Sequence, residues 1–334
     1  MHTAPNGLDE PTLRAALTRD LGAPTGPDAR RLADQLARAF GPATVALVHY
    51  GSHAQGSGGG AESAYDFFVV VDDYRSAYRA LAAALPSHFV AWRAALLNRV
   101  LPPNVVSVTD PGAAAARAAK CCVLSAGDLM RACSRAPRDH FVRARLFQQV
   151  RLVWARDEEA QARVAGAVVA ARRETFAWGR PFLPAAFDAA TFCRTLLEVS
   201  YAAEIRPEDE RRLEVLLEAQ AGTHVPMYET LLAHLAARGV LTRAGDCYRD
   251  PQPPGAAARG LARAWFGWSK ARATLRWAKY VALYHGWLDY VVRKVERRSG
   301  VTLVLTPRER RWPLVFLWPK ALRFLWRPRR AGRR

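Results

Sequence analysis

The sequence has few cysteines, few acidic residues and no long apolar run, and each shortage excludes a class of protein. Its five cysteines include no CxxC pair and no histidine at ligand spacing, so we expect neither a zinc site nor a disulfide framework. Residues 1–11 lack the apolar segment of a signal peptide and the arginine-rich pattern of a transit peptide, so we expect no targeting segment. Half of the 334 residues are hydrophobic, which excludes a wholly disordered protein.

Acidic residues are the scarcer charges, with 30 Asp and Glu against 49 Lys and Arg, a net charge of +19. Residues 270–334 hold 18 basic and 3 acidic residues, a local charge of +15, and the rest of the chain carries 31 minus 27, or +4. Seven of the ten tryptophans lie between Trp265 and Trp326. The composition therefore indicates an anionic partner, either polyphosphate, nucleic acid or acidic lipid, and points to the C-terminal region as its main contact.

The hydrophobic pattern predicts an α/β region followed by helices. Three short apolar segments are typical of strands, namely 44–48, 65–71 and 104–108. Helical spacing is found over Pro27–Phe40, which should end at Gly41-Pro42, and again over Tyr74–Leu85. Ser125 should cap a helix that starts near Asp128, and the patterns from there to about residue 237 are helical.

A glycine-serine turn and an aspartate are the first candidate site. Gly51-Ser52 follows the first predicted strand and Asp66 lies in the second. Backbone N–H groups in such a turn can hold a phosphate, and an aspartate on the neighbouring strand can bind magnesium, which is the ground plan of nucleotidyl transfer. The alternative is an ordinary turn beside a strand-ending aspartate. Phe68 occupies the place where a second carboxylate is expected, so a second metal ligand must come from elsewhere.

Several segments between roughly residues 45 and 235 resemble, in order and spacing, the motifs of the mitochondrial-type phosphatidate cytidylyltransferases (CDP-diacylglycerol synthases), members of the nucleotidyltransferase superfamily. These segments are Gly51-Ser52, Asp66-Phe67, Val71-Asp72-Asp73, His88-Phe89, Asn104, Lys120–Ser125 with Asp128-Leu129, Arg145-Leu146 and Ser200–Arg206. The chain departs from the family pattern at Cys121, Gln149, Ala203 and Glu204, where the family has an aromatic residue, lysine, glycine and aspartate.

The resemblance implies an α/β nucleotidyltransferase domain of the polymerase-β-like type, followed by a mainly helical, winged-helix-like domain and a C-terminal amphipathic helical tail. We place an N-terminal helical segment at 1–40 and the nucleotidyltransferase core at 41–125. The helical domain should cover 126–249. A proline-rich linker, 250–255, would then lead to basic aromatic amphipathic helices over 256–334 that associate with a membrane.

The resemblance also implies an activity, the Mg²⁺-dependent transfer of a cytidylyl group from CTP to phosphatidic acid, which gives CDP-diacylglycerol and pyrophosphate. Gly51 and Ser52 would cradle the triphosphate, and Asp66 would bind the metal. Lys120 and Arg206 would contact the nucleotide, and Glu204 would be the second catalytic carboxylate.

Taken without the resemblance, Lys120 is a solvated charge and Glu204–Arg206 a polar helix end. Two alternatives to the activity are kept. The first is a nucleotidyltransferase acting on a soluble or RNA acceptor, and the second is a non-catalytic member that binds nucleotide or membrane.

The C-terminal region predicts two amphipathic helices, the first over Lys270–Arg298. Residues 312–326 would form about 22 Å of helix, short of the ~30 Å hydrocarbon core of a bilayer. We therefore expect this tail to lie in the interface of an anionic membrane. Its contact residues would be Trp312, Phe316, Trp318, Lys320, Arg323, Trp326 and Arg327.

Nucleic-acid binding is the less favoured explanation of the tail, and docking on the chain's own core is a third. The expected location is cytoplasmic and peripheral, on the inner face of a membrane.

Overall fold

The structure is a computed structural model that describes residues 9–57, 63–85, 90–110, 117–203, 210–283, 292, 304–311 and 316. The chain divides into two compact units, Met1–Lys279 and Tyr280–Arg334. The N-terminal unit contains all the strands of the described chain and most of its helices. It combines an α/β sheet region with a mainly helical region.

A mixed five-stranded sheet, in the order β3-β4-β2-β1-β5, is the centre of the N-terminal unit. The strands are β1 (Thr44–Tyr50), β2 (Tyr65–Val71), β3 (Asn104–Asp110), β4 (Arg117–Ser125) and β5 (Arg151–Ala155). β2 and β4 run parallel, and the other neighbours are antiparallel. A separate hairpin pairs β6 (Thr242–Ala244) with β7 (Cys247–Arg249). The strands predicted from the apolar segments are confirmed, and β2 has the predicted bounds.

Helices surround the sheet and form the rest of the described fold. They are α1 (Glu10–Thr18), α2 (Pro27–Phe40), α3 (Ser52–Gln55), α4 (Tyr74–Ala84), α5 (Ala91–Val100), α6 (Ala126–Cys133), α7 (Arg143–Leu146), α8 (Glu158–Arg173), α9 (Thr175–Gly179), α10 (Ala189–Ala202), α11 (Glu210–Ala237), α12 (Ala256–Leu283) and α13 (Pro307–Arg311). The predicted end of α2 is confirmed, because Gly41 takes φ +68° and its N–H donates to the carbonyls of Ala37 and Arg38. The predicted cap is confirmed too, because Ser125 Oγ accepts from the N–H of Asp128 at 3.1 Å.

Two of the apolar clusters in the described part of the N-terminal unit surround the candidate site and the helical region. On one face of the sheet, Val48, Phe68 and Leu124 pack with residues of α6 and α8. The second cluster lies in the helical region, where Phe192 and Tyr228 are fully buried members of α10 and α11. Leu13 and Leu17 bring α1 into that second cluster, so the start of the described chain is anchored to its helical region.

The structure differs from the sequence predictions in two places. Residues 151–155, predicted as helix, form the edge strand β5 beside β1. The basic helix begins at Ala256 rather than Lys270, and the end predicted at Arg298 lies outside the described residues.

Asp250, the first residue of the predicted linker, is bound by Arg180 at 2.5 and 2.8 Å. The domain boundaries stay predictions. Among the helices of the described residues, none combines the length and the apolar character that crossing a bilayer requires.

A buried ion pair links α8 to the segment after α1. The Arg172 side chain is fully buried and donates to both carboxylate oxygens of Asp20 at 2.6 Å. It also donates to the carbonyls of Leu17, Leu146 and Gln148 at 2.6 to 3.0 Å. Burial alone would raise the pKa of Asp20, but Arg172 and the N–H of Val150 hold that pKa below its ordinary value.

We expect Arg172→Gln to lower the free energy of unfolding by about 3–5 kcal/mol, because it leaves the buried Asp20 carboxylate without its cation. Urea unfolding followed by circular dichroism measures the loss. Arg163→Gln, at a half-exposed position of α8, is the matched control, because Arg163 pairs with Glu159 one turn away and its replacement should cost under about 0.5 kcal/mol. Equal losses in the two variants would contradict a structural role for the buried pair.

Candidate functional site

Three polar residues of β2, β4 and β3 lie side by side across the sheet, level with the start of β2. Asp66 at the start of β2 is the cross-strand partner of Tyr50, the last residue of β1, and of Lys120 in β4. Lys120 in turn pairs with Ser107 of β3. Because paired residues on neighbouring strands point to the same face, Asp66, Lys120 and Ser107 form a polar row across the sheet. The predicted site residues Gly51, Asp66 and Lys120 therefore lie together, although they are far apart in sequence.

Tyr50 lies next to Asp66 in this row and is buried in the apolar core. Its ring stacks on Phe68 with centroids 4.4 Å apart, and its hydroxyl lies 3.0 Å from Cys122 Sγ. Burial, with Cys122 and Asp66 nearby, raises the pKa of Tyr50 well above its ordinary value, so the hydroxyl stays protonated. Tyr50 is therefore a buried neighbour of Asp66 and does not supply an ionised group.

Gly51 connects β1 to α3 in a conformation that only glycine adopts without strain. Its φ is +81°, and a Cβ at this position would lie 2.6 Å from Asp66 Oδ2 and 3.3 Å from Asp66 Cβ. The Asp66 carboxylate occupies the space that a side chain at this position would take. This close approach explains physically why a glycine follows β1, and it makes the turn and the aspartate one structural feature.

Lys120 and Asp66 form a partly open ion pair. The distance from Lys120 Nζ to Asp66 Oδ1 is 4.0 Å, at the limit of a salt bridge, and the two side chains are 38% and 25% exposed. An exposed pair at this distance contributes at most about 1 kcal/mol to stability. A loosely held cation beside an accessible carboxylate is suited to a ligand that carries both phosphates and a metal ion.

Magnesium fits this site only as an ion shared with a substrate. Across the described part of the chain, no group of three or more His, Cys, Asp and Glu side chains could enclose a metal. Asp66 offers a partly exposed carboxylate that packs against the Gly51 turn. Mg²⁺ commonly binds one or two carboxylates together with phosphate oxygens and waters, so a single carboxylate is compatible with it when a polyphosphate is present.

Buried glutamines connect α3 to α11. Gln55, the last residue of α3, donates to Gln148 Oε1 at 3.0 Å, and Gln220 of α11 approaches the same oxygen at 3.5 Å. The N–H of Gln149 donates to Gln220 Oε1 at 3.0 Å. Gln149, where the family pattern has a lysine, is thus a buried residue of this network. Gln55 and Gln148 could not be recognised from the sequence, because a single glutamine carries no signal until its partner is known.

Two histidines, His49 and His53, pack against the start of β2 close to the Gly51 turn. His53 of α3 stacks on Tyr65 with centroids 4.1 Å apart, and one of its ring nitrogens contacts the carbonyl of Ser63 at 3.1 Å. His49 is buried against Tyr65 and Phe67. Burial, and then the charges of His53 and Arg151, lower the pKa of His49 to about 4, so it is neutral at physiological pH. These rings fix α3 against the start of β2.

The two aspartates that follow β2 lie at the opposite end of that strand from Asp66. Asp72 pairs with Arg156, and Asp73 caps α4 by accepting from the N–H groups of Arg75 and Ser76 at 2.8 and 2.9 Å. Both carboxylates have structural partners. Although Asp72 and Asp73 match the family motif, they do not belong to the polar row.

Most of the other predicted site residues lie outside the described residues. They are Glu204 and Arg206 and, in the tail, Trp312, Trp318, Lys320, Arg323, Trp326 and Arg327. Phe316 is described and exposed. Ala203, the residue before the undescribed segment, is buried in the apolar cluster of the helical region.

No protein-family model matches the chain, and no curated protein matches it significantly.

We expect Gly51→Ala to destabilise the protein more than Gly56→Ala. Both glycines have positive φ, but a Cβ at Gly56 meets nothing within 4 Å. The left-handed backbone alone should cost about 1–2 kcal/mol, and the contact with Asp66 should add about 1–3 kcal/mol at Gly51. Urea unfolding measures both losses. The added loss should disappear when Asp66→Ala is combined with Gly51→Ala, and its persistence in the double variant would contradict the close approach.

Proposed function

We propose that this protein is a nucleotidyltransferase that moves a cytidylyl group from CTP to phosphatidic acid, with release of pyrophosphate. The observation that supports the proposal most directly is the meeting of Gly51, Asp66 and Lys120 at one end of the sheet. A turn without a side chain, an accessible carboxylate and a nearby cation are the elements that binding of a metal-bound triphosphate requires. CTP and phosphatidic acid as the substrates come from the sequence resemblance.

The fold is compatible with the proposed domain types. A mixed sheet whose first two strands are antiparallel, with the turn and the aspartate at their joined ends, supports a polymerase-β-like nucleotidyltransferase core. In the helical region, α10 and α11 are followed by the β6–β7 hairpin, and Phe187 bridges to Tyr248 of that hairpin. Helices followed by a hairpin with a third bridging segment support the winged-helix-like assignment.

Each residue of the site has a proposed role in the transfer. The turn at Gly51 and Ser52 would bind phosphate oxygens through backbone N–H groups and the Ser52 hydroxyl, and Lys120 would neutralise their charge. Asp66 would hold the magnesium, which supplies charge neutralisation while the transfer proceeds. An oxygen of the phosphatidic acid phosphate forms the new bond to the α-phosphorus, and the bond from that phosphorus to pyrophosphate breaks. A phosphate monoester is already ionised near neutral pH, so no general base is needed.

Glu204 and Arg206 keep their proposed roles as the second carboxylate and a phosphate ligand. They follow Ala203, whose burial at the end of α10 fixes the point from which this segment starts. The proposed site therefore combines residues of the sheet with residues that follow a helix of the helical region.

Membrane contact is proposed for α12 as well as for the tail. Leu261, Trp268 and Leu275 are 73%, 58% and 57% exposed and lie seven residues apart. Residues seven apart on a helix differ by only about 20° in direction, so the three form one apolar stripe. α12 contains six basic residues and no acidic one. An apolar stripe on a cationic helix is suited to the surface of an anionic bilayer, which supports the proposed peripheral location on the inner face of a membrane.

A second candidate function is nucleotide or membrane binding without catalysis. It is favoured by the buried Phe68, which occupies the place of a second carboxylate, and by the single carboxylate of the described site. Magnesium-dependent CTP binding without pyrophosphate release would support this candidate. Turnover that needs RNA or a soluble acceptor instead of lipid would point to a different nucleotidyltransferase.

We expect the purified protein, given labelled CTP, magnesium and phosphatidic acid vesicles, to form CDP-diacylglycerol and pyrophosphate. Asp66→Asn should lower the rate by about 100-fold or more, because it removes the metal-binding charge. Asp72→Asn is the matched control, since Asp72 follows the same strand at its other end and pairs with Arg156. Thermal unfolding should show both variants folded. Full activity of Asp66→Asn would remove this residue from the mechanism.

We expect Trp268→Ser with Leu261→Ser to weaken binding to vesicles that contain anionic lipid, and deletion of residues 308–334 to weaken it separately. Co-sedimentation with anionic and with neutral vesicles measures both effects. Val240→Ser is the control, because Val240 is an exposed apolar residue outside α12. Unchanged sedimentation of the α12 variant would exclude this stripe, and unchanged sedimentation of the truncated chain would favour a tail docked on the protein.

A further inference from the structure

Helix α5 carries a stripe of large apolar side chains that are exposed. Trp92, Leu96 and Val100 are 66%, 53% and 67% exposed. They lie four residues apart, so they share one side of the helix. Of the twelve large apolar side chains that are exposed in the described residues, three lie along α5 and three along α12. Exposed apolar residues concentrated on two helices mark a contact surface, whereas single scattered ones do not.

Arginines flank the α5 stripe on both sides. Successive residues of a helix differ by about 100° in direction, so the stripe spans about 80°, and Arg93 and Arg99 fall about 20° outside its two edges. Both arginines are exposed, and α5 contains no acidic residue. An apolar centre between two cationic edges is typical of a helix that lies in the interface of an anionic membrane, with its arginines reaching the headgroups.

Buried asparagines fix the direction in which the stripe faces. Asn98, on the opposite side of α5, is fully buried, and its Nδ2 donates to the Tyr78 hydroxyl at 3.1 Å and to the carbonyl of Val123 at 3.0 Å. Its Oδ1 accepts from the N–H of Asn104 at 2.6 Å, and Asn104 Nδ2 donates to the carbonyl of Ala94 at 2.9 Å. These bonds attach α5 to α4, β4 and β3. The fold therefore holds the apolar stripe outward.

The end of α5 lies beside α12. Lys279 Nζ donates to the carbonyl of Leu101, which directly follows α5, and to that of Pro103 at 3.0 Å. Leu275, the last residue of the α12 stripe, precedes Lys279 by one turn, and residues four apart share one side of a helix. The α5 stripe ends at Val100, immediately before Leu101. The two apolar stripes therefore approach each other at this point.

We propose that α5 is a second membrane-contact helix, whose stripe enters the interface of the same anionic bilayer as α12. The inference rests on the membrane association proposed for α12 and extends it to the sheet region. Because α5 leads into the edge strand β3, which carries Ser107 of the polar row, docking through α5 would orient that edge of the sheet towards the lipid.

Charge disfavours two other occupants of the α5 stripe. A second copy of the chain related by a two-fold axis would place the same patch against itself. Arg93 and Arg99 would then face like charges, with no acidic residue of α5 to balance them. The chain's own tail is similarly unsuited, because residues 308–334 hold ten basic residues and one acidic residue. An anionic bilayer matches both the apolar centre and the cationic edges of the stripe.

Co-sedimentation of the full-length chain with vesicles tests the proposal. The vesicles contain phosphatidylcholine with or without phosphatidylglycerol, which supplies negative charge without the phosphate monoester of the proposed substrate. Trp92→Ser with Leu96→Ser should weaken binding to the anionic vesicles about tenfold or more, because two large apolar side chains no longer enter the interface. Val215→Ser with Val240→Ser is the matched control, since both are exposed apolar residues outside α5 and α12. Thermal unfolding checks that every variant is folded.

A second pair of variants tests the flanking arginines. Arg93→Gln with Arg99→Gln should weaken binding to anionic vesicles about tenfold and leave binding to neutral vesicles unchanged. Arg30→Gln with Arg38→Gln removes the same charge from exposed positions of α2 and should have a smaller effect. Equal losses in the two pairs would contradict a specific contact through α5.

A fluorescent label reports the contact directly. Leu96→Cys in a Cys247→Ser background can be labelled with an environment-sensitive fluorophore, because the other four cysteines of the chain are buried. The emission should shift to the blue when anionic vesicles are added, and lipids that carry a quencher in their acyl chains should reduce it. Val215→Cys in the same background should show neither change.

The outcomes separate this inference from the proposal for α12. Unchanged binding of the Trp92→Ser, Leu96→Ser variant, with loss of binding in Trp268→Ser with Leu261→Ser, would overturn the role of α5 alone. Absence of binding by the unaltered chain would overturn the membrane contact of both helices. A label at position 96 that is blue-shifted without vesicles would also overturn the proposal. Dependence of that shift on residues 308–334 would assign the stripe to the tail, and dependence on protein concentration would assign it to a second copy.

Discussion

The buried pair of Arg172 and Asp20 is the constraint on which the candidate site depends. Arg172 binds the carbonyls of Leu146 and Gln148, and Asp20 accepts from the N–H of Val150. The segment between α7 and β5 is thereby fixed at both ends, and its Gln148 side chain binds Gln55 at the end of α3. Because α3 begins directly after Gly51, this buried salt bridge is connected through Gln148 to the glycine turn. An ion pair this deeply buried is strongly destabilising to break.

The polar row is produced by strand pairing and not by any local motif. Asp66, Lys120 and Ser107 come from three strands, and only the register of the sheet brings them side by side on one face. Around them the sheet is apolar, with Phe68 and Cys122 buried next along their strands. The low exposure of these neighbours limits water to one side of the row. A charged ligand there would meet fixed partners with little solvent between them, which strengthens each electrostatic interaction.

The local parts of the fold could be predicted from the sequence, and the parts set by distant contacts could not. α2, β1 and β2 follow from apolar spacing and from Gly41-Pro42, because periodicity and caps act over a few residues. β4 and β5 carry too little pattern to be recognised alone and exist because their neighbours pair with them. Gly51 and Asp66 were recognisable from the resemblance, whereas the partners of Gln148 and Arg172 depend on residues over 20 positions away. The sequence predicted the start of α12 at Lys270 instead of Ala256, because alanine and glycine residues interrupt the apolar spacing of its first turns.

The last helix of the N-terminal unit also completes the edge of the sheet. Arg276 binds the carbonyl of Pro102, and Lys279 binds those of Leu101 and Pro103, so α12 holds the turn that leads into the edge strand β3. Lys279 is itself buried, and this burial, followed by the charge of Arg276, lowers its pKa to about 7. Some 175 residues separate the turn from the side chains that fasten it. During synthesis on the ribosome, the turn before β3 can therefore form its contacts with α12 only after almost the whole N-terminal unit has emerged.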